Sequence, residues 1–549
     1  MRHGGKILID QLETQGVTTA FTVPGESFLA ALDGLHDSNR IKTIICRQEG
    51  GVSMMAEAWG KATGEPGIAF VTRGPGLGNA MSGLHVAKQD STPMVLFVGL
   101  PPREFEDREA FQEIETKQLL SSFVKWAAVI RQTERIPEYV SHAFHLARSG
   151  RPGPVVLGLP EDMLAAECEA IDAKPVRIAE AHPGAADMGV LGDKLAKAAR
   201  PLMIVGGPGW SVAIQKAIEA FAARFDLPVA PAFRYQDYID NRHRCHVGCA
   251  GIGIDATLGA AIKDADLLIV IGARLGEMTT GAYTLLEAPN PKQYLVHVHP
   301  SPDELGSVYR ADLPIASSAR AFAEALAGLS PPAKIAWSAR RAELRAAYEA
   351  SLKPIPLPGA VKLAEVMRTV SRMLPEDGIV TNGAGNFAGF VHRYFEYKGF
   401  RSGLAPTSGS MGYGLPAAIA AKLAHPGRPV VNVQGDGCFM MTGQELATAV
   451  QYALPIVTLV ANNGMYGTIR MHQEREYPNR VVGTTLVNPD FAAYARSFGA
   501  DGYTIEATAD FEPAFARALQ SSKPSVIELR IDPEAISARK TLSEIRDKR

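Results

Sequence analysis

Between Gly435 and Asn463 the chain gathers oxygen donors of the kind that hold a hard cation. The apolar run Val430-Val431-Asn432-Val433-Gln434 leads into Gly435-Asp436-Gly437. A helical stretch follows from about Thr442 to Tyr452, and a second apolar run, Ile456 to Ala461, ends in Asn462-Asn463-Gly464. An Asp carboxylate, an Asn side-chain carbonyl and a backbone carbonyl suit magnesium, which completes its octahedron with phosphate oxygens and water. Glycines on both sides of Asp436 let the backbone approach such phosphates. Both Asp436 and Asn463 fall at the carboxyl ends of expected strands, where open α/β sheets bind ligands. A lone Gly-Asp-Gly is most often a turn; the full order of strand, Gly-Asp-Gly, helix, strand and Asn-Asn carries the specificity.

A second cluster is separate in sequence. Ile44-Ile45-Cys46-Arg47-Gln48-Glu49-Gly50-Gly51 sets a glutamate between an apolar strand and a glycine pair that opens a helix. Such a glutamate is commonly a solvated surface residue, and its catalytic reading draws strength from the cation motif. A carboxylate set among apolar groups holds a proton more readily than one in water, which suits proton sharing near neutrality. Three shorter stretches carry further polar groups at expected strand ends or loops: Val23-Pro24-Gly25-Glu26-Ser27, Thr72-Arg73-Gly74-Pro75-Gly76 and Phe111-Gln112-Glu113.

On these residues the chain resembles the thiamine diphosphate enzymes, closest to the acetolactate synthase branch, along its whole length. The resemblance implies thiamine diphosphate and Mg2+ as cofactors, with Asp436, Asn463 and the carbonyl of Met465 as magnesium ligands. It implies that Glu49 hydrogen-bonds the aminopyrimidine and so activates the cofactor. Met411, in Gly409-Ser410-Met411-Gly412, would wedge beneath the two rings. Pro24, Gly385, Asn386, Phe387, Ser410, Gly435, Gly437, Tyr466 and Gly467 would complete the cofactor contacts. Gly385-Asn386-Phe387 matches the family's Gly-Gln-His only loosely. Gln112 would face the thiazolium and hydrogen-bond a bound 2-oxo acid. Glu26 stands for the usual glycine, as either an acid–base group or a carboxylate repelling anions. Arg73 replaces a Ser or Thr. His472 replaces the tryptophan that selects the second 2-oxo acid, and becomes a catalytic or substrate-contacting candidate. Because Glu49 and Asp436 lie far apart in the chain, the resemblance implies a homodimer or a dimer of dimers, with each cofactor bridging two subunits.

The reaction so implied is decarboxylation of a 2-oxo acid with carboligation to an acceptor carbonyl. Two alternatives stand beside it: cleavage of a 2-hydroxyacyl-CoA or a diketone, and a catalytically silent binding or regulatory homologue. Retention of Glu49, Asp436 and Asn463 together argues against silence. The middle of the chain holds Gly206-Gly207-Pro208-Gly209 after an apolar strand, a possible pyrophosphate cradle. FAD is the less favoured occupant there. Leu275-Gly276-Glu277 and His297-Val298-His299 stand where flavin-binding members carry acidic residues. His243, Cys245, His246 and Cys249 crowd together without the spacing of a zinc knuckle.

Positioning these groups calls for apolar strands alternating with helices, hence an α/β chain of three doubly wound parallel-sheet domains. The expected boundaries are 1–165, 185–345 and 360–549, with an Ala- and acid-rich linker near 161–184 and an extended Pro-rich one at 353–359. A chain of 549 residues is long enough for three cores. With 56 Lys and Arg against 58 Asp and Glu, there is no charge excess to draw nucleic acid or an anionic membrane. Five cysteines and the absence of a signal-like start set the expectation of a cytoplasmic enzyme acting on a small molecule.

Overall fold

A computed structural model describes residues 1–547. Apolar runs form the strands of three parallel sheets. The first takes the order Lys42–Ile45, Thr19–Thr22, Gly67–Val71, Met94–Leu100, Pro154–Pro160, Trp126–Val129. The second runs Val229–Pro231, Pro201–Val205, Leu267–Ile271, Tyr294–His299, Leu313–Ala316. The third runs Gly403–Leu404, Ile379–Asn382, Val430–Gly435, Ile456–Asn462, Ser525–Arg530, Asp501–Ile505. Numbered within its own unit, the first and third sheets share one strand order, 2-1-3-4-6-5, and the second follows 2-1-3-4-5. In each, the central strands are buried along their length, as sheets covered by helices on both faces require.

The strands missing from the sequence reading lie mostly at sheet edges. Leu313–Ala316 closes the second sheet; its residues alternate buried and exposed and include Pro314, the pattern of an edge. Gly403–Leu404 is only two residues long. The helix expected from Thr442 begins earlier, at Asp436, and breaks into Asp436–Phe439 and Leu446–Gln451 around a turn at Gly443–Glu445. The 161–184 linker is partly ordered by pairing. It holds the helix Glu161–Ala165 and a two-residue strand, Glu167–Cys168, antiparallel to Arg2–His3. Gln11 and Gln15 bind the backbone of Ala173, Lys174 and Val176.

The first and third units share one core. Helix Glu49–Thr63 packs on helix Gly414–Ala424, and Val52, Met55, Leu415, Ile419, Phe439 and Leu446 belong to the same buried cluster. The Gly414–Ala424 helix is buried nearly all round, and its run of alanines lets the partner helix come close. No helix among the described residues is long and apolar enough to cross a membrane.

Candidate active site

Strand Val430–Gly435 delivers Asp436 to the carboxyl edge of the third sheet, at the first position of a helix. The side chain is almost wholly buried. Its Oδ1 accepts from the Gly437 amide at 2.8 Å, and its Oδ2 from the Gly464 amide at 2.9 Å and Asn488 Nδ2 at 2.7 Å. Burial raises the Asp436 pKa, while the Gly437, Asn488 and Gly464 donors oppose the rise. Asn488 also donates to Asn462 Oδ1 at 3.0 Å, so one amide ties the two strand ends together.

Asn463 follows, with its Oδ1 accepting from the Met465 amide at 3.3 Å. A Cβ on Gly467 would come within 3.1 Å of Asn463 Nδ2, and one on Gly437 within 2.6 Å of the Tyr466 ring. These glycines are therefore set by close approach, and they bring Tyr466 and Asn463 against the Asp436 turn. The Phe387 ring lies over both Gly385 and Gly435. Asn386 accepts from Thr468 Oγ1 at 3.0 Å and donates to the Met471 sulfur. The Ser410–Met411 loop is fixed to the same turn, since the Gly412 amide donates to Cys438 Sγ and Thr442 Oγ1 donates to the Gly412 carbonyl. Gly385, Asn386, Phe387, Ser410, Met411, Gly435, Asp436, Gly437, Asn463, Met465, Tyr466 and Gly467 thus surround one edge. No group of three His, Cys, Asp or Glu side chains among the described residues is arranged to hold a metal. A divalent cation at Asp436 would accordingly complete its shell with amide or backbone carbonyls, phosphate and water.

The first unit builds the other edge. Glu49 opens its helix, while Gln48 caps it by accepting from the Gly50 and Gly51 amides at 2.6 and 3.2 Å. Capping by Gln48 leaves the Glu49 carboxylate free of that task. Asn79 Nδ2 donates to Glu49 Oε2 at 2.9 Å, and Oε1 lies near Gly76. Behind the loop, Glu445 of the third unit accepts from the Arg47 and Gln48 amides, both at 3.0 Å. Burial raises the Glu445 pKa, and Thr448 and these amides partly offset it. Gly25, next to Pro24 in the chain, lies beside Thr72, and Ser27 Oγ bonds Thr72 Oγ1 at 2.9 Å. Gln112 sits at a positive φ of 61°, with its carbonyl accepting from the Gly74 amide.

Sequence reasoning had not singled out Asn79, Glu445 or Asn488, and had placed Glu161 in the linker. Glu161 Oε2 instead accepts from Arg73 Nη2 at 2.8 Å, and Glu26 Oε1 stands 3.6 Å from Arg73 Nη1. His472 lies exposed on helix Gly467–Glu476, where its Nδ1 meets Arg475 at 2.7 Å. Among the described residues no hydrogen bond or ion pair joins Glu49 to Asp436 or Asn463.

Where the three units meet, a cavity of about 550 Å³ lies beside Gly207–Gly209, bounded also by Lys61 and Asp90 of the first unit, Arg234 and Asp237 of the second and Arg401 of the third. Burial lifts the Asp237 pKa to about 7. His297 Nε2 is within bonding distance of the Ala273 carbonyl, and burial pushes His299 down to about 4, so both rings stay neutral near pH 7. Cys245 and Cys249 direct their thiols to backbone carbonyls, and His246 packs edge-on against Tyr348.

The family profiles match all three units. The N-terminal thiamine pyrophosphate-binding domain matches residues 2–119, the central domain 190–326, and the C-terminal thiamine pyrophosphate-binding domain 383–529. An acetolactate synthase large subunit of Parasynechococcus marenigrum is 33% identical over 96% of this chain and 87% of its own. The chain belongs to the thiamine pyrophosphate enzyme family. A probable acetolactate synthase large subunit of Methanocaldococcus jannaschii is 31% identical, over 96% of this chain and 92% of its own. The isozyme 2 large subunit of Escherichia coli is 29% identical, over 96% of each. Of these matches the N-terminal one contains Glu49 and the C-terminal one Asp436, with the central domain between them in sequence.

Proposed function

We propose that this protein decarboxylates a 2-oxo acid and joins the retained fragment to an acceptor carbonyl, using thiamine diphosphate and magnesium. One observation carries the reading: two sheet edges, one with Glu49 held by Asn79 and one with a buried, amide-bound Asp436, occur on a chain whose named relatives are acetolactate synthases over nearly its full length. Thiamine diphosphate, when bound, supplies a carbon nucleophile and accepts the electron pair released as carbon dioxide leaves.

The residues of the chain then have distinct tasks. Glu49 would offer Oε1 to a pyrimidine nitrogen as its hydrogen-bond partner, while the Asn79 bond to Oε2 fixes its direction. Asp436, Asn463 and the Met465 carbonyl would hold magnesium, with Asn488 and the Gly464 amide orienting the Asp436 carboxylate. Pro24, Gly385, Asn386, Phe387, Ser410, Gly435, Gly437, Tyr466 and Gly467 would shape the cofactor bed, and Met411 would support the bound cofactor. Gln112 orients the 2-oxo acid, and His472 and Glu26 face the substrate.

Two copies of the chain complete each site in this reading, as a homodimer or a dimer of dimers. Leu29 and Phe111 on the first edge, and Met441, Ile469 and Val487 on the third, expose large apolar side chains that such a contact would cover. We divide the chain at 1–165, 185–345 and 360–549. Decarboxylation and ligation need no redox group, and we leave FAD out of the reaction; the expected purified protein lacks flavin absorbance. The decisive assay supplies pyruvate alone and with a second 2-oxo acid, and analyses the carbon skeletons formed. Acetohydroxy acid products support carboligation. Cleavage of a 2-hydroxyacyl-CoA or a diketone, without ligation, would replace this reading.

A further inference from the structure

Glu26 and Arg73 are separate departures in the sequence, but in the fold they are neighbours. Arg73 lies two residues past the third strand of the first sheet, at its carboxyl edge, and is the cap residue of the helix Gly74–Asp90. Only 7% of the residue is exposed. A buried guanidinium is costly unless paired. Here Nη2 donates to Glu161, Nη1 donates to the Phe111 carbonyl at 3.3 Å, and Nε has no partner. The Glu26 carboxylate stands beyond hydrogen-bond reach at 3.6 Å, and its side chain is 66% exposed. Arg73 also lines a cavity of about 390 Å³ with Pro101, Pro102, Arg108, Phe111 and Glu161. That volume suits a small organic molecule. Arg108, at the rim, makes no ion pair among the described residues. The wall is therefore two guanidiniums and one carboxylate set on proline and phenylalanine, which fits an anion on a short apolar body.

We propose that Arg73 is a specificity-determining residue whose guanidinium binds a carboxylate retained through the reaction, and that Glu26 is the anion this carboxylate displaces. The carboxylate is a retained one because clamping the departing carboxylate would stabilise the charge that decarboxylation removes, and so raise the barrier. It thus belongs to the acceptor 2-oxo acid or to a second acidic group on the donor. The cavity reaches the activating glutamate along one helix. Gly74 is bonded to Gln112, and Gly76, two residues on, lies against Glu49. Glu26 balances the charge while the site is empty and, being loosely held and solvated, gives way at little cost. This inference rests on the carboligase reading for its reaction, but its binding step can be tested without turnover.

The experiment uses the full-length protein saturated with thiamine diphosphate and magnesium, and titrates oxamate, an unreactive 2-oxo acid isostere, against neutral oxamide by calorimetry. Wild type should prefer oxamate. R73Q should lose about ten- to a hundredfold of oxamate affinity, the scale of a charge-assisted pair, while R73K should keep part of it. E26Q, freed of the competing anion, should bind oxamate more tightly. Retained preference in R73Q, or weaker oxamate binding in E26Q, overturns the proposal. In turnover with pyruvate as donor, R73Q should raise KM for 2-oxobutyrate and leave KM for propanal unchanged; equal losses for both acceptors would mark Arg73 as merely structural. If no ligation product forms in wild type, the carboligase reading fails, and the oxamate titration still decides the role of Arg73.

Discussion

The first and third units repeat one strand order, and at the turn after the third strand one carries Arg73, the cap of the next helix, and the other carries Asp436, the first residue of its helix. The two corresponding turns carry opposite charge, and the surroundings differ to match. Asp436 is held by two backbone amides and Asn488, all on its own unit. Arg73 is flanked by the carboxylates of Glu161 and Glu26, one bonded and one held off. Backbone donors cannot move away without refolding the loop, whereas an exposed glutamate can. The third edge is thus built as a fixed bed, and the first as a surface whose charge can be exchanged. A fixed bed suits a resident cofactor, and an exchangeable one suits a substrate that comes and goes.

Replacing the key group on each edge should break this comparison most sharply. E49Q should lower turnover by about a hundredfold or more, the range for losing an acid–base group, while magnesium-dependent cofactor binding by calorimetry stays intact. Unchanged activity would remove Glu49 from the mechanism. D436A should do the reverse at the level of binding. Thiamine diphosphate with magnesium should no longer raise its melting temperature, where a cofactor at a hundred times its Kd would add about 2.7 kcal/mol to wild type.

Acidification separates the two ligation states of the third edge. Because burial raises the Asp436 pKa, its protonated form is favoured in the folded protein without cofactor. That contribution is fully present below the unfolded pKa and is lost as pH rises through the folded one. Magnesium needs the ionised form, so cofactor affinity should fall as pH drops through the same range, and should begin to fall above the ordinary aspartate pKa. Opposite pH slopes for Asp436 in the free and loaded protein, each referenced to D436N in denaturation, are the expected result; parallel slopes would count against Asp436 as the metal ligand.

Smaller effects test the rigidity of each edge. G437A would push a methyl to 2.6 Å from the Tyr466 ring and should cost about 1–3 kcal/mol in denaturant unfolding. G78A, on the first edge, meets nothing within 4 Å inside a helix and should instead stabilise by about 0.5–1 kcal/mol. If both cost the same, the contrast between a tight bed and an open surface does not hold.

Much of the fold was legible because buried parallel strands read as continuous apolar runs, as in Met94–Leu100 and Ile456–Asn462. Edge strands such as Gly403–Leu404 and Leu313–Ala316 carry only half that signal, or are too short to carry any. Gly-Asp-Gly and the Glu49 loop were legible for a related reason: each is set by its immediate neighbours, through glycine geometry and a helix start. Asn488, Glu161 and Glu445 could not be found that way. Asn488 is 52 residues from Asp436, Glu161 is 88 from Arg73, and Glu445 is 398 from Arg47.

By itself the sequence determined the element types, the three-unit division it led us to expect, and the local chemistry of Asp436 and Glu49, since periodicity and turn geometry act over a few residues. Tertiary structure decided which distant side chains meet. It paired Arg73 with Glu161 and Glu26, brought Asn488 onto Asp436, and set Glu445 behind the Glu49 loop. Those pairings depend on strand order and helix packing, which bring chain ends together regardless of their separation, and on the need of each buried charge for a partner.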